Sequence, residues 1–143
     1  MKLDTYLVVL MAFYAVYLFG IFIFIFRKRA AATKARRISI KYFTDYQGES
    51  PSDLRVLENH ANNQFQVPIY FMVTGVLAIQ QGAVGLVIAG LATVFVLSRL
   101  VHTYIHLGSN HVLRRAGAYF VGFLSVTGIW LCLLLSLWLQ RPI

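Results

Sequence analysis

Ser52–Phe71, SDLRVLENHANNQFQVPIYF, decides how this chain is read. It joins a polar, helix-forming start to an apolar run, IYFMVTGVLAI (Ile69–Ile79), that carries no charge. Arg55, Asn59, Asn62 and Gln66 recur at spacings of four, three and four, so on a helix they share one stripe, with Asn63 beside it. Pro68 removes a backbone donor and predicts a bend in one helix running from about residue 51 to Gln80. The stripe is expected to descend toward a greasy interior, where amides need partners or a ligand.

Outward from that stretch, composition sets the solvent. Hydrophobic residues make up 59% of the 143, and the mean hydropathy is +0.69, values natural for a small integral membrane protein of one domain. The net charge of +8 could suit nucleic acid, but seven of the thirteen Lys and Arg lie between Arg27 and Lys41, directly after the first apolar run. Such a juxtamembrane cluster marks a cytoplasmic side, can attract anionic headgroups, and leaves nucleic-acid binding without a cause. Cys132 is the only cysteine and sits in an apolar run, so it forms no intramolecular disulfide.

Leu3–Phe26 has Asp4 as its only charge and exceeds the ~20 residues a helix needs to cross hydrocarbon. Its length, followed by Arg27-Lys28-Arg29, argues against a cleaved signal peptide. Arg27–Glu49 reads as a cytoplasmic loop, with a short helical extension of the first span as an option. Ser50-Pro51-Ser52-Asp53 offers a cap, a first-turn proline and an acid for the positive helix end. Further spans are expected at about 63–80, 83–107 and 116–138, the second and third joined by a tight turn at Gln80-Gln81-Gly82. The resulting fold class is an all-α, four-transmembrane-helix antiparallel bundle, with both termini non-cytoplasmic and the basic connections inside.

The third span ends in a second polar stripe, Arg99, His102 and His106, which Asn110 continues if the helix persists. The two stripes would form an anion-friendly pocket facing the cytoplasm, because guanidinium forks pair with carboxylates and amides hold peptide-like groups. Bonding between helices is the plainer use of the same residues. His102 and His106, four apart, with His60 and His111 as further imidazoles, also have metal-like spacing. With no carboxylate beside them, helix–helix hydrogen bonding accounts for them, and no metal is assigned.

With NNQFQVPIYF on helix two and SRLVHTYIHLGSN followed by LRR on helix three, nearly the whole chain resembles the MAPEG family, the membrane-associated proteins in eicosanoid and glutathione metabolism, and particularly its bacterial branch. The resemblance implies a homotrimer in a bacterial inner membrane, glutathione bound between subunits as co-substrate, and transferase or peroxidase-type activity on small lipophilic electrophiles. It implies that Asn63 holds the glutathione backbone and that Gln66 stands where the family has a Glu for the amino group. Asn59 stands where an Arg is common, one turn from Arg55; Arg99 matches an Arg within the span, and His102 and His106 stand where eicosanoid-type members carry Tyr. Arg114 or Arg115 corresponds to the Arg that stabilises the glutathione thiolate, the nucleophile. A non-catalytic lipid- or ligand-binding scaffold with the same fold is the alternative.

Overall fold

The computed structural model describes residues 1–143 as six helices and no strand: α1 Leu3–Lys34, α2 Tyr42–Asp45, α3 Ser52–Gln64, α4 Val67–Gln80, α5 Leu86–Leu107 and α6 Val112–Leu139. Three of them, α1, α5 and α6, are long and apolar enough to cross a membrane. Side-chain pairs fix their directions. Tyr6 bonds Thr93 at 2.7 Å and Tyr17 bonds Thr103, so α1 runs parallel to α5. Tyr14 donates to Gln64 Oε1 at 2.8 Å while Met11 packs on Gly75, so α3 and α4 run the opposite way beside α1. The up-down alternation follows, with α6 returning along α5.

One end of this arrangement collects the charge. Lys28 of α1, Asp53 of α3 and Gly108 and Asn110 of the α5–α6 connection border one cavity there. Arg37 grips Asp53 through two hydrogen bonds, at 2.8 and 3.2 Å, and so ties the basic segment to the first turn of α3. The hydrogen-bonded Arg37 guanidinium holds the Asp53 carboxyl below the usual carboxylate range. The tether is therefore complete at neutral pH and is lost only in acid, as pH falls through that lowered value.

Several boundaries differ from expectation, each for a local reason. α1 takes the optional helical extension and runs eight residues beyond Phe26, about 12 Å at 1.5 Å per residue, where a loop is the main expectation, because its Arg, Ala and Lys residues favour helix once outside the apolar layer. The Ser50 cap does not form; Pro51 precedes the helix and Ser50 presents its carbonyl to Arg55 Nη2 at 3.0 Å. The expected bent helix is two helices, broken at Phe65 and Gln66. Pro68 becomes the second residue of α4, and its ring excludes the Gln64 carbonyl four residues back, which is where α3 stops. The α5 helix begins at Leu86 because the turn needs Gly82 at a positive φ of 61° and three further residues before helical geometry resumes.

Tyr14, Phe71 and Phe95 are fully buried and form the centre of the core, with Phe71 and Phe95 stacked at 4.4 Å between ring centroids. By contrast only 11% of the apolar window of α1 is buried, and Phe13, Val16, Phe19 and Ile23 face outward, a surface suited to lipid or a neighbouring copy. The α5–α6 pair packs closely at Gly122, where a Cβ would stand 2.6 Å from Ser98 Oγ and 3.5 Å from Arg99 Cδ. Gly122→Val should therefore lower stability by about 1–3 kcal/mol through overpacking, read as a drop in the unfolding midpoint in detergent.

Candidate functional site

The apolar positions of helix two show which side faces in. Leu54, Leu57, Gln64, Val67 and Phe71 are buried together with His60, so His60 and Gln64 ride on the inner face. Opposite them, α5 turns Arg99, His102, Thr103 and His106 inward, all of them buried. A polar cluster thus fills the charged half of the interior. Gln64 Oε1 accepts from Tyr14 and from Arg99 Nη2 at 3.4 Å, and Arg99 Nη2 also donates to the Asn63 carbonyl at 3.2 Å. That carbonyl is available because no backbone N–H spans the break between α3 and α4 to reach it. The guanidinium lies over the Tyr119 ring at 5.3 Å and has no carboxylate partner.

The three imidazoles adjoin this arginine. His60 Nδ1 and His106 Nδ1 are 3.3 Å apart, and His60 Nε2 faces Thr103 Oγ1 at 3.2 Å and Gln64 Nε2 at 3.1 Å. His102 Nδ1 donates to the Arg115 carbonyl at 2.9 Å, which fixes its tautomer. Four nitrogens of the cluster are buried without any partner: Arg99 Nε and Nη1, His102 Nε2 and His106 Nε2.

The expected stripe of α3 lies elsewhere. Arg55, Asn59, Asn62 and Gln66 are exposed on the outer side, and Asn63 is half-buried, so the stripe does not descend into the interior. The reason is that Leu54, Leu57, Val67 and Phe71 carry more apolar surface than the stripe carries polarity, and burying them turns the stripe outward. The structure therefore brings Arg99, His102 and His106 together but separates them from Arg55, Asn59 and Asn62; Gln66 instead accepts from the Tyr119 hydroxyl at 3.3 Å. Arg114 is exposed, whereas Arg115 donates to Asn110 Oδ1 and closes the α5–α6 connection.

Beside the outward stripe lies an open cavity of about 580 Å³ between α1, α2 and α3, lined by Arg29, Tyr42, Glu58, Asn59, Asn62 and Phe65 among others. Arg29 and Glu58 face each other there at 3.8 Å, too far for a hydrogen bond, and Tyr42 donates to the other Glu58 oxygen at 3.1 Å. Arg29 Nε and Glu58 Oε1 are buried without partners. Sequence reasoning named His60 only as a further imidazole near His102 and His106, and passed over Gln64, Arg29 and Tyr14 as site residues. The signal for His60 and Gln64 was the 3–4 spacing of the apolar residues around them; nothing local marks Arg29 or Tyr14, which sit in a uniform apolar helix and a crowded basic run.

A sequence profile of the MAPEG family matches residues 6–135. The chain belongs to that family and is an integral, multi-pass membrane protein. Comparisons with curated proteins and with solved structures return no match.

Gln64 is the one side chain that meets Tyr14, His60, Thr103 and Arg99 at once. Gln64→Leu should strand the Tyr14 hydroxyl and one Arg99 donor and cost about 1–3 kcal/mol, measured by thermal unfolding in detergent against a surface control, Gln47→Leu.

Proposed function

We propose that the protein binds glutathione on its outward polar stripe and, as a homotrimer in a bacterial inner membrane, uses the thiolate to attack small lipophilic electrophiles. The observation that carries this reading is the cavity of about 580 Å³ beside the stripe, with unpartnered Arg29 and Glu58 atoms at its wall. A carboxylate of glutathione suits the Arg29 or Arg55 fork, its amide groups suit Asn59, Asn62 and Asn63, and its ammonium suits Glu58, which supplies the negative charge that Gln66 lacks. Arg99, His102 and His106 back this site from inside rather than touching the tripeptide.

The trimer follows from what one copy leaves uncovered. Amides at membrane depth are costly when they face lipid, and the outward Asn62 and Gln66 are relieved if a second copy packs over them. A ring of heterologous contacts would then bring the exposed Arg114 at the start of α6 of one subunit to the α1–α3 side of the next. Arg114 is free for that role, while Arg115 is engaged with Asn110.

The membrane arrangement proposed is four spans, at about 3–26, 63–80, 83–107 and 116–138. At 14 residues α4 reaches only about 21 Å, so the last turn of α3 is needed to complete its crossing of a core of about 30 Å. The basic end faces the cytoplasm, both termini lie opposite, and glutathione enters from the cytoplasm while the second substrate comes from the bilayer.

Chemistry at such a site needs one cation. A free thiol has a pKa of about 8.5, and a guanidinium in a partly dry site lowers it, enriching the nucleophile. The sulfur forms a bond to the electrophilic carbon, the leaving group departs with the electron pair, and the thiol proton has already passed to water. Arg114→Ala should leave helical content and oligomer mass unchanged while reducing both the ultraviolet absorbance of bound thiolate and conjugation of a generic aromatic electrophile at least about tenfold. Full thiolate in Arg114→Ala would refute the assignment; no thiolate in the unsubstituted protein would leave a binding scaffold as the function.

A further inference from the structure

We propose that His60, His102 and His106 form a three-imidazole site for a late first-row divalent metal ion of the Zn2+ type. One ligand nitrogen from each ring can be chosen so that all three lie within 4.8 Å of one another. In a tetrahedral site with bonds of about 2.0–2.1 Å, ligand nitrogens stand about 3.3 Å apart. His60 Nδ1 and His106 Nδ1 are already at 3.3 Å. The rings are 0%, 2% and 1% exposed, so an ion bound among them would be shielded from competing water.

The hydrogen bonds around the rings point to a missing electrophile. His102 can only donate through Nδ1 to the Arg115 carbonyl, so its Nε2 presents a lone pair, and that atom is buried with no partner. A carbonyl behind a ligating imidazole is the usual way a metal-facing nitrogen is oriented. His106 borders the cavity of about 320 Å³ at the charged end, which gives an ion a way in past Asp53 and Asn110.

Two features constrain the form of the site. Binding through His60 Nδ1 moves that ring's proton to Nε2, where Thr103 Oγ1 accepts it at 3.2 Å, and requires the Gln64 amide nitrogen, 3.1 Å from that atom, to draw back while its oxygen stays on Tyr14 and Arg99. The Arg99 guanidinium one turn below His102 disfavours a second uncompensated positive charge, so the fourth ligand is an anion, hydroxide or chloride, and the unpartnered Arg99 Nε and Nη1 are the donors for it. Three neutral imidazoles with no thiolate or carboxylate select Zn2+, Ni2+ or Cu2+ over Mg2+ or Ca2+.

The test uses the full chain in detergent or lipid discs, stripped by a chelator and reloaded first with Zn2+ and then with Co2+. The expected result is one Zn2+ retained per chain and the intense visible bands of tetrahedral Co2+. His60→Gln, His102→Gln and His106→Gln should each weaken binding roughly tenfold or more, while His111→Gln, at an exposed position, binds as the unsubstituted protein does. Folded protein that retains no Zn2+, a weak octahedral Co2+ spectrum, or equal loss in His111→Gln would overturn the proposal. Should any of the three variants fail to fold, the Co2+ spectrum of the unsubstituted chain alone decides.

Discussion

A fully buried arginine with no carboxylate governs this fold. Removing a guanidinium from water costs several kcal/mol unless its donors are met, and in a bundle surrounded by apolar helix faces no water is at hand to meet them. Arg99 is met in part: Nη2 reaches the Asn63 carbonyl and the Gln64 side chain, and the face of Tyr119 lies beside the guanidinium, while Nε and Nη1 have no partner. The first exists because Pro68 interrupts the helix, so a defect that would be a liability in a continuous span becomes an acceptor for a buried cation. The second is itself held by Tyr14, which ties α1 into the same network and places three buried aromatic rings directly beneath it.

From that centre the division of the subunit into inner and outer polar surfaces follows. The inner surface is a closed set of imidazoles, amide and hydroxyl, dense in mutual hydrogen bonds and distant from solvent. The outer surface, on the other side of α3, is a row of amides and guanidinium groups beside an open cavity. One thin helix separates them. The two surfaces draw on different residues of the same thirteen-residue segment.

Much of this was legible in the sequence because membrane helices announce themselves by length and charge placement. The start of the first helix at Leu3, the turn at Gln81-Gly82 and the start of the last helix near Ala116 all lie within a few residues of the elements seen. The direction of the α3 stripe was not legible from the polar residues alone. Asn59 and Asn62 catch the eye as functional, yet the turn of a helix is set by where its large apolar side chains go, and Leu54, Leu57 and Phe71 point the other way. Nor could spacing show that His60 joins His102 and His106, since that contact spans 46 positions along the chain and depends on how α3 leans on α5.

The central claim is that a polar face turned outward in one copy is completed by another. Mass measurement of the intact protein in lipid discs or mild detergent, with and without glutathione, addresses it most directly. The account predicts a trimer that takes up glutathione only as a trimer, with dissociation into single chains releasing it. A monomer that binds glutathione as well as the assembled protein does would contradict it.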